Sequence, residues 1–174
     1  MPFDPQKHHR RSIRLHGYDY SQSGAYFFTI VTQGKACLFG EIKDGKVLLN
    51  EAGKVILSWW YELPKKFPNI KLDTFIVMPN HFHGIIIIDD LHVCSNEGDT
   101  DKKPTLGTVI QWFKTMSTNE YIRGVKNLGW QPFDRRLWQR NYYEHIVRNE
   151  QDWERIHNYI ESNPLNWEDD NEYS

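Results

Sequence analysis

The chain has 174 residues, of which 39% are hydrophobic, 25% charged and 14% aromatic. This is enough apolar surface for one packed domain, and it excludes a disordered or fibrous chain. No apolar run reaches the length of a membrane span, since the richest, Gly84 to Ile88, stops at Asp89 and Asp90. Two cysteines, Cys37 and Cys94, suit neither a disulfide framework nor a zinc knuckle, and the start of the chain carries no apolar signal segment. A reducing, cytoplasmic setting is therefore expected.

Residues 1–20 form a basic arm, with Lys7, Arg10, Arg11 and Arg14 beside His8, His9 and His16. A domain is expected over 21–167. Tyr26 to Thr32 is aromatic and β-branched, the composition of a strand. Asp44-Gly45 lies between two short extended runs from Glu41 to Leu48 and signals a tight hairpin. Asn50 then caps a helix whose apolar positions, Ala52, Val55, Ile56, Trp59, Trp60 and Leu63, fall on one stripe, with Pro64 as its end.

Lys71 to Met78 reads as a strand, and His81 to Ile88 as another whose run of Ile implies cover on both faces. Residues 89–104 are polar and Gly-bearing, a mobile loop. A second helix is expected from Thr105 to Arg123, with Leu106, Val109, Ile110, Phe113 and Met116 on one side. Leu137 to Val147 reads as extended, and Asn149 to Ser162 as a third helix with Trp153, Ile156 and Ile160 inward, stopped by Pro164. Residues 168–174 form an acidic tail. Helices scattered among strands of an antiparallel-leaning sheet predict an α+β, ferredoxin-like fold.

The net charge of −2 hides an uneven distribution. Lys102 to Arg148 holds nine Lys/Arg against three Asp/Glu, whereas Asn149 to the end holds eight acids and one Arg. A basic arm and a basic middle suit a phosphate backbone, and ordinary variation of surface charge is the alternative.

Met78-Pro-Asn-His-Phe-His-Gly84 is the most informative segment. On a strand, His81 and His83 share a face about 6.5–7 Å apart, within reach of one cation. Gly84 is expected to leave space beside the second, and the plainer alternative is a pair of half-buried strand histidines. On the third helix, Asp152, Arg155, Tyr159 and Asn163 line one face beside the apolar seam. Tyr159 is placed to reach a substrate and Asn163 to add a carboxamide oxygen to two imidazoles; packing and helix termination are the alternatives.

Together with Leu137-Trp-Gln-Arg-Asn-Tyr-Tyr-Glu-His-Ile-Val-Arg148 and Tyr159-Ile-Glu-Ser-Asn-Pro164, this segment resembles the REP-associated tyrosine transposases. These are single-tyrosine HUH (His-hydrophobe-His) enzymes related to insertion-sequence transposases. The resemblance runs from about Tyr26 to Trp167 and implies a ferredoxin-like sheet carrying His81, His83 and Asn163 around Mg²⁺ or Mn²⁺. It implies Tyr159 as the nucleophile of a strand-transferring endonuclease that cleaves single-stranded DNA near hairpins through a 5′-phosphotyrosine. In many insertion-sequence relatives a Gln stands where Asn163 does.

Tyr142 and Tyr143 are alternative nucleophiles, or strand aromatics. Arg136, Arg140 and Arg148 are candidates for phosphate contact, as are Arg10, Arg11 and Arg14 of the arm. Trp138 is a candidate for stacking on an unpaired base, with core packing as the alternative. The expected partner is single-stranded or hairpin DNA, with no membrane. The resemblance admits both a monomer and a homodimer, and a binding protein without turnover or a small-molecule phosphoesterase are the rival functions.

Overall fold

The computed structural model describes residue 19 and residues 22–89 and 104–169. The arm with Arg10, Arg11 and Arg14, nearly all of the 89–104 loop, and the acidic tail beyond residue 169 lie outside the described residues.

Among the described residues six strands and three α-helices follow one another as β1 (Gly24–Val31), β2 (Gly40–Lys43), β3 (Lys46–Leu49), α1 (Glu51–Lys66), β4 (Ile70–Val77), β5 (His81–Ile88), α2 (Leu106–Leu128), β6 (Tyr143–Val147) and α3 (Glu150–Ser162). The main sheet has the order β4-β5-β1-β6 with every neighbouring pair antiparallel. With the β2-β3 hairpin set aside, the order strand, helix, strand, strand, helix, strand is the split βαβ arrangement of a ferredoxin-like fold, as the sequence predicts.

The hairpin turns at Asp44 (φ 51°) and Gly45 (φ 68°), the paired left-handed conformations that Asp-Gly tolerates. Asn50 caps α1 by accepting from the Gly53 amide. Pro64 does not end α1: the helix runs on to Lys66 and closes with the Phe67 amide on the Leu63 carbonyl. A proline in the last turn removes one amide and its i−4 bond, and here the next turn is over before that loss spreads.

α2 outruns its expected end at Arg123 by five residues, because Tyr121 and Gly124 stay buried and Gly129, at φ 71°, supplies the left-handed cap. β6 is shorter than expected. Leu137 to Tyr142 makes one bridge, Trp138 to Thr32, and otherwise crosses the end of the sheet as irregular chain.

Alternation along the strands divides the side chains between two faces. Tyr26, Phe28, Ile30, Phe82, Ile86 and Ile88 pack under α1 and α2 in the larger core. Phe27 and Ile85 face the other way and meet Ile156 and Ile160 of α3. β5 is buried along both faces except at Ile87, as its run of Ile implies. Gly84 corrects a local expectation. It faces α1, where a Cβ would lie 3.0 Å from the Trp60 ring and 2.8 Å from that of Phe82, so its missing side chain admits Trp60 and makes no room for His83.

Candidate active site

Strand period places His81, His83 and Ile85 on the α3 face, and the register carries that face across the sheet. His83 lies opposite Thr29 on β1, and Thr29 opposite Tyr143 on β6. Both histidines are fully buried. Each is held by its Nδ1 atom. Asn80 Oδ1 lies 2.7 Å from His81 Nδ1, while the Asn80 amide nitrogen donates to the Lys35 carbonyl at 3.2 Å. An amide oxygen can only accept, so His81 Nδ1 is the donor and its Nε2 carries a lone pair. Thr29 Oγ1 lies 2.7 Å from His83 Nδ1 and orients the second ring, its hydroxyl being able to accept from that nitrogen or donate to it. Burial, with His81 beside it, pushes the His83 pKa well below the usual imidazole value, so this ring is neutral at pH 7.

α3 brings the other two groups. Asn149 caps its start, accepting from the Asp152 amide at 2.8 Å, and Ile156 and Ile160 seat it on Phe27 and Ile85. Tyr159 is 45% exposed, and its hydroxyl stands 3.5 Å from His83 Nε2. Asn163, buried at the helix end, places Oδ1 3.3 Å from His81 Nε2. Trp167 stacks on His81 at 6.0 Å, closing that side.

The His83 ring stands 4.5 Å from the His81 ring by centroid, and the His81–Asn163 approach sets one acceptor against another. Two lone pairs 3.3 Å apart repel unless something positive lies at them. The donor set, two neutral imidazoles and one carboxamide oxygen with both imidazoles oriented from behind, fits a divalent cation. Among the described residues no three His, Cys, Asp or Glu side chains come together, so the carboxamide is what completes the trio.

The remaining sequence candidates are scattered. Tyr143 is exposed on the site's face with its ring edge against Phe27, whereas Tyr142 packs toward the larger core. Trp138 is not available for stacking on a base. It is 4% exposed, lies 5.0 Å from the Phe39 ring and donates its indole N–H to Ser117, because the bridge to Thr32 turns it inward. Arg136 and Arg140 are exposed at the end of the sheet on the α2 side. Arg148 is exposed just before α3, and Arg155 pairs with Asp152 at 2.6 Å, the plainer of its two readings.

Sequence reasoning missed Thr29 and Asn80 as the groups that orient the imidazoles; a lone Thr inside an aromatic strand and an Asn directly before the first His were the available signals. His145 and His157 also acquire roles. His145 Nε2 meets Asp152 at 2.7 Å and His157 Nδ1 meets Thr74 at 2.5 Å, tying α3 to both edge strands.

No protein-family profile matches the chain. A protein of Haemophilus influenzae (strain Rd), described as uncharacterized, is 39% identical over 176 residues, covering 95% of this chain and 94% of its own length. The chain belongs to that protein's family.

Among solved structures, it is similar to a REP-associated tyrosine transposase bound to a REP hairpin, with a TM-score of 0.59, 19% identity, and coverage of 89% of this chain and 74% of the other. It is also similar to a candidate transposase from Deinococcus radiodurans R1, with a TM-score of 0.51, 18% identity, and coverage of 86% and 96%. The fold is therefore REP-associated tyrosine transposase-like, an α+β antiparallel sheet with helices on both faces. Among the described residues no helix is long and apolar enough to cross a membrane.

Proposed function

We propose that this chain is a metal-dependent single-tyrosine endonuclease and strand transferase acting on single-stranded DNA beside hairpins, in the cytoplasm. One observation carries the reading: Tyr159 Oη stands 3.5 Å from His83 Nε2, beside the place where His81 Nε2 and Asn163 Oδ1 present opposed lone pairs 3.3 Å apart. The transposase-like fold and the hairpin bound to one neighbour support it.

His81, His83 and Asn163 would hold Mg²⁺ or Mn²⁺, which supplies positive charge against the non-bridging oxygens of a scissile phosphate. Three neutral ligands leave that charge undiminished, and the depressed His83 pKa keeps a proton from competing for its Nε2.

Tyr159 is half-exposed, so its oxygen is accessible to a strand lying on the α3 side of the sheet. The phenolic oxygen attacks phosphorus in line, the P–O3′ bond breaks, and the phenolic proton passes to water while the departing 3′ oxygen takes one up. The tyrosine is left esterified to the 5′ phosphate. One phosphoester bond replaces another, so a different 3′ hydroxyl can reverse the step and join new ends. Tyr159 lies 3.5 Å from His83 Nε2 of its own chain, a placement that supports attack in cis.

The test is a labelled hairpin oligonucleotide with a single-stranded tail, incubated with Mn²⁺ and run on a denaturing gel. An SDS-resistant protein–DNA adduct is expected with the wild type and with Tyr143→Phe, and none with Tyr159→Phe. An adduct that survives in Tyr159→Phe and vanishes in Tyr143→Phe reassigns the nucleophile. Cleavage with no adduct supports a phosphoesterase, and hairpin binding with neither product supports a binding protein without turnover.

A further inference from the structure

On the opposite side of the sheet end from Tyr159, α2 and residues 135–140 enclose an open cleft of about 420 Å³. Its walls carry Lys114, Arg135, Arg136 and Arg140 beside the polar side chains of Thr118 and Asn119. Among the described residues no Asp or Glu lines it. The nearest carboxylate in sequence, Asp134, sits 3.9 Å from Arg135 Nε. In a chain with 23 acidic and 21 basic residues, four cations around one carboxylate-free hollow are a marked local excess.

The cations also repel. Lys114 is half-buried, with its ammonium donating to the Gln139 carbonyl at 2.6 Å and the Arg140 carbonyl at 3.3 Å. Burial and the neighbouring Arg136 lower its pKa to about 8. A half-buried ammonium beside a guanidinium, with no carboxylate lining the cleft among the described residues, gives a local positive field that favours an anion.

The cleft is joined to the candidate active site by backbone. The Gln139 amide donates to the Val31 carbonyl at 2.8 Å, and Val31 pairs in register with His81. Exposed Tyr143 lies three residues past Arg140, at most about 10 Å along the chain, and faces the α3 side of the sheet.

We propose that this cleft is a second nucleic-acid contact, in which Lys114, Arg136 and Arg140 grip the phosphodiester backbone of a DNA whose adjoining strand crosses the β6 edge to Tyr159. The inference rests on the function proposed above for the location of that strand, and it concerns binding alone. A backbone suits the cleft better than a free nucleotide because the cleft is open and four cations line it, while its two aromatics are engaged in packing, Phe133 lying edge-on to Tyr121 at 5.7 Å. Trp138, the other, is turned into the core. Arg136 and Arg140 lie on irregular chain and are exposed, so replacing them removes charge without opening the core.

The experiment is fluorescence anisotropy with a labelled hairpin oligonucleotide carrying a single-stranded tail, titrated over a range of NaCl concentrations. Each lost phosphate contact lowers the slope of log K against log salt by about one. Arg136→Ala/Arg140→Ala is expected to reduce the slope by about two and the affinity by about tenfold or more at low salt. Lys65→Ala, on the far helix α1, changes neither. In the wild type the Lys114 ammonium, followed by NMR, is expected to titrate at higher pH once the oligonucleotide is bound.

An unchanged slope and affinity in the double variant overturns the proposal, as does displacement of the oligonucleotide by an equal concentration of inorganic phosphate, or no DNA binding by the wild type. Binding with the expected slope but no adduct defeats the catalytic reading and leaves the cleft standing. An adduct with an unchanged slope does the reverse.

Discussion

The two faces of the main sheet are built on different terms. Under α1 and α2 the cover is continuous and aromatic: Trp60 lies 4.9 Å from Phe82 and within 6.1 Å of Phe28, Phe75 and Phe113, all by ring centroid. Under α3 the buried apolar cluster is only Phe27, Ile85, Ile156 and Ile160, with Ala25, Ile76, Val147 and Trp153 partly buried against it, and polar bonds add to the attachment. Trp153 donates to Asp73 at 3.0 Å and His157 meets Thr74 at the bulge of β4, while His145 on β6 holds Asp152. One face is built for stability. The other gives up apolar cover so that a buried pair of imidazoles and a half-exposed phenol can meet, with α3 pinned by directional bonds at both sheet edges.

The largest effect should therefore come from the aromatic face. Trp60 is fully buried, and its indole N–H has no hydrogen-bond partner among the described residues, so it is held for its volume. Trp60→Ala should cost about 3–5 kcal/mol in chemical denaturation, and Ile156→Ala, in the smaller cluster, about 2 kcal/mol. Equal losses would mean that the two faces share one core. Hydrogen exchange sharpens the contrast: α3 amides should exchange through local opening well before those of β1 and β5.

The next effect belongs to the cation site and should separate binding from folding. If Mn²⁺ binds the folded chain, saturation at about a hundred times its dissociation constant adds about 2.7 kcal/mol and raises Tm. His83→Ala should remove that rise by deleting a donor. A variant that keeps the full Mn²⁺-dependent shift would place the cation elsewhere. One that fails to fold shifts the question to Asn163→Ala, which trims a helix end and leaves both imidazoles in place.

What was legible in the sequence follows the two periods. Alternation in the His-Phe-His strand put both imidazoles on one face, and the 3.6-residue repeat lined Tyr159 up with Asn163; the coordinates keep both arrangements. The βαββαβ order was legible for the same reason, because local pattern fixes element type. Long-range placement was not. Nothing near Trp138 in sequence says that Thr32 will bridge to it and turn the indole toward Ser117, and nothing near Thr29 says that it will stand opposite His83. Pro64 and Arg123 misled because propensity and charge mark boundaries only until burial of Leu63 and Tyr121 overrides them.

The smallest effect tests the polar pinning of α3. Asp152 is 14% exposed, hydrogen-bonded to His145 at 2.7 Å and to Arg155 at 2.6 Å, and these partners hold its pKa at about 2 against an ordinary 3.8. A carboxyl with a depressed folded-state pKa stabilises fully above its unfolded value, and that contribution fades as pH falls toward the folded value. The window is therefore from about pH 4 down to pH 2. Arg155 is 68% exposed, so solvent screens part of the interaction and about 1 kcal/mol is the expected size. Asp152→Asn should be less stable than wild type by that amount at pH 7 and should converge with it near pH 2, as followed by urea denaturation at each pH. Parallel curves across the whole window would show that the Asp152 bonds add nothing to the hold on α3, and its polar pinning would then rest on the β4 edge alone, at Asp73 and Thr74.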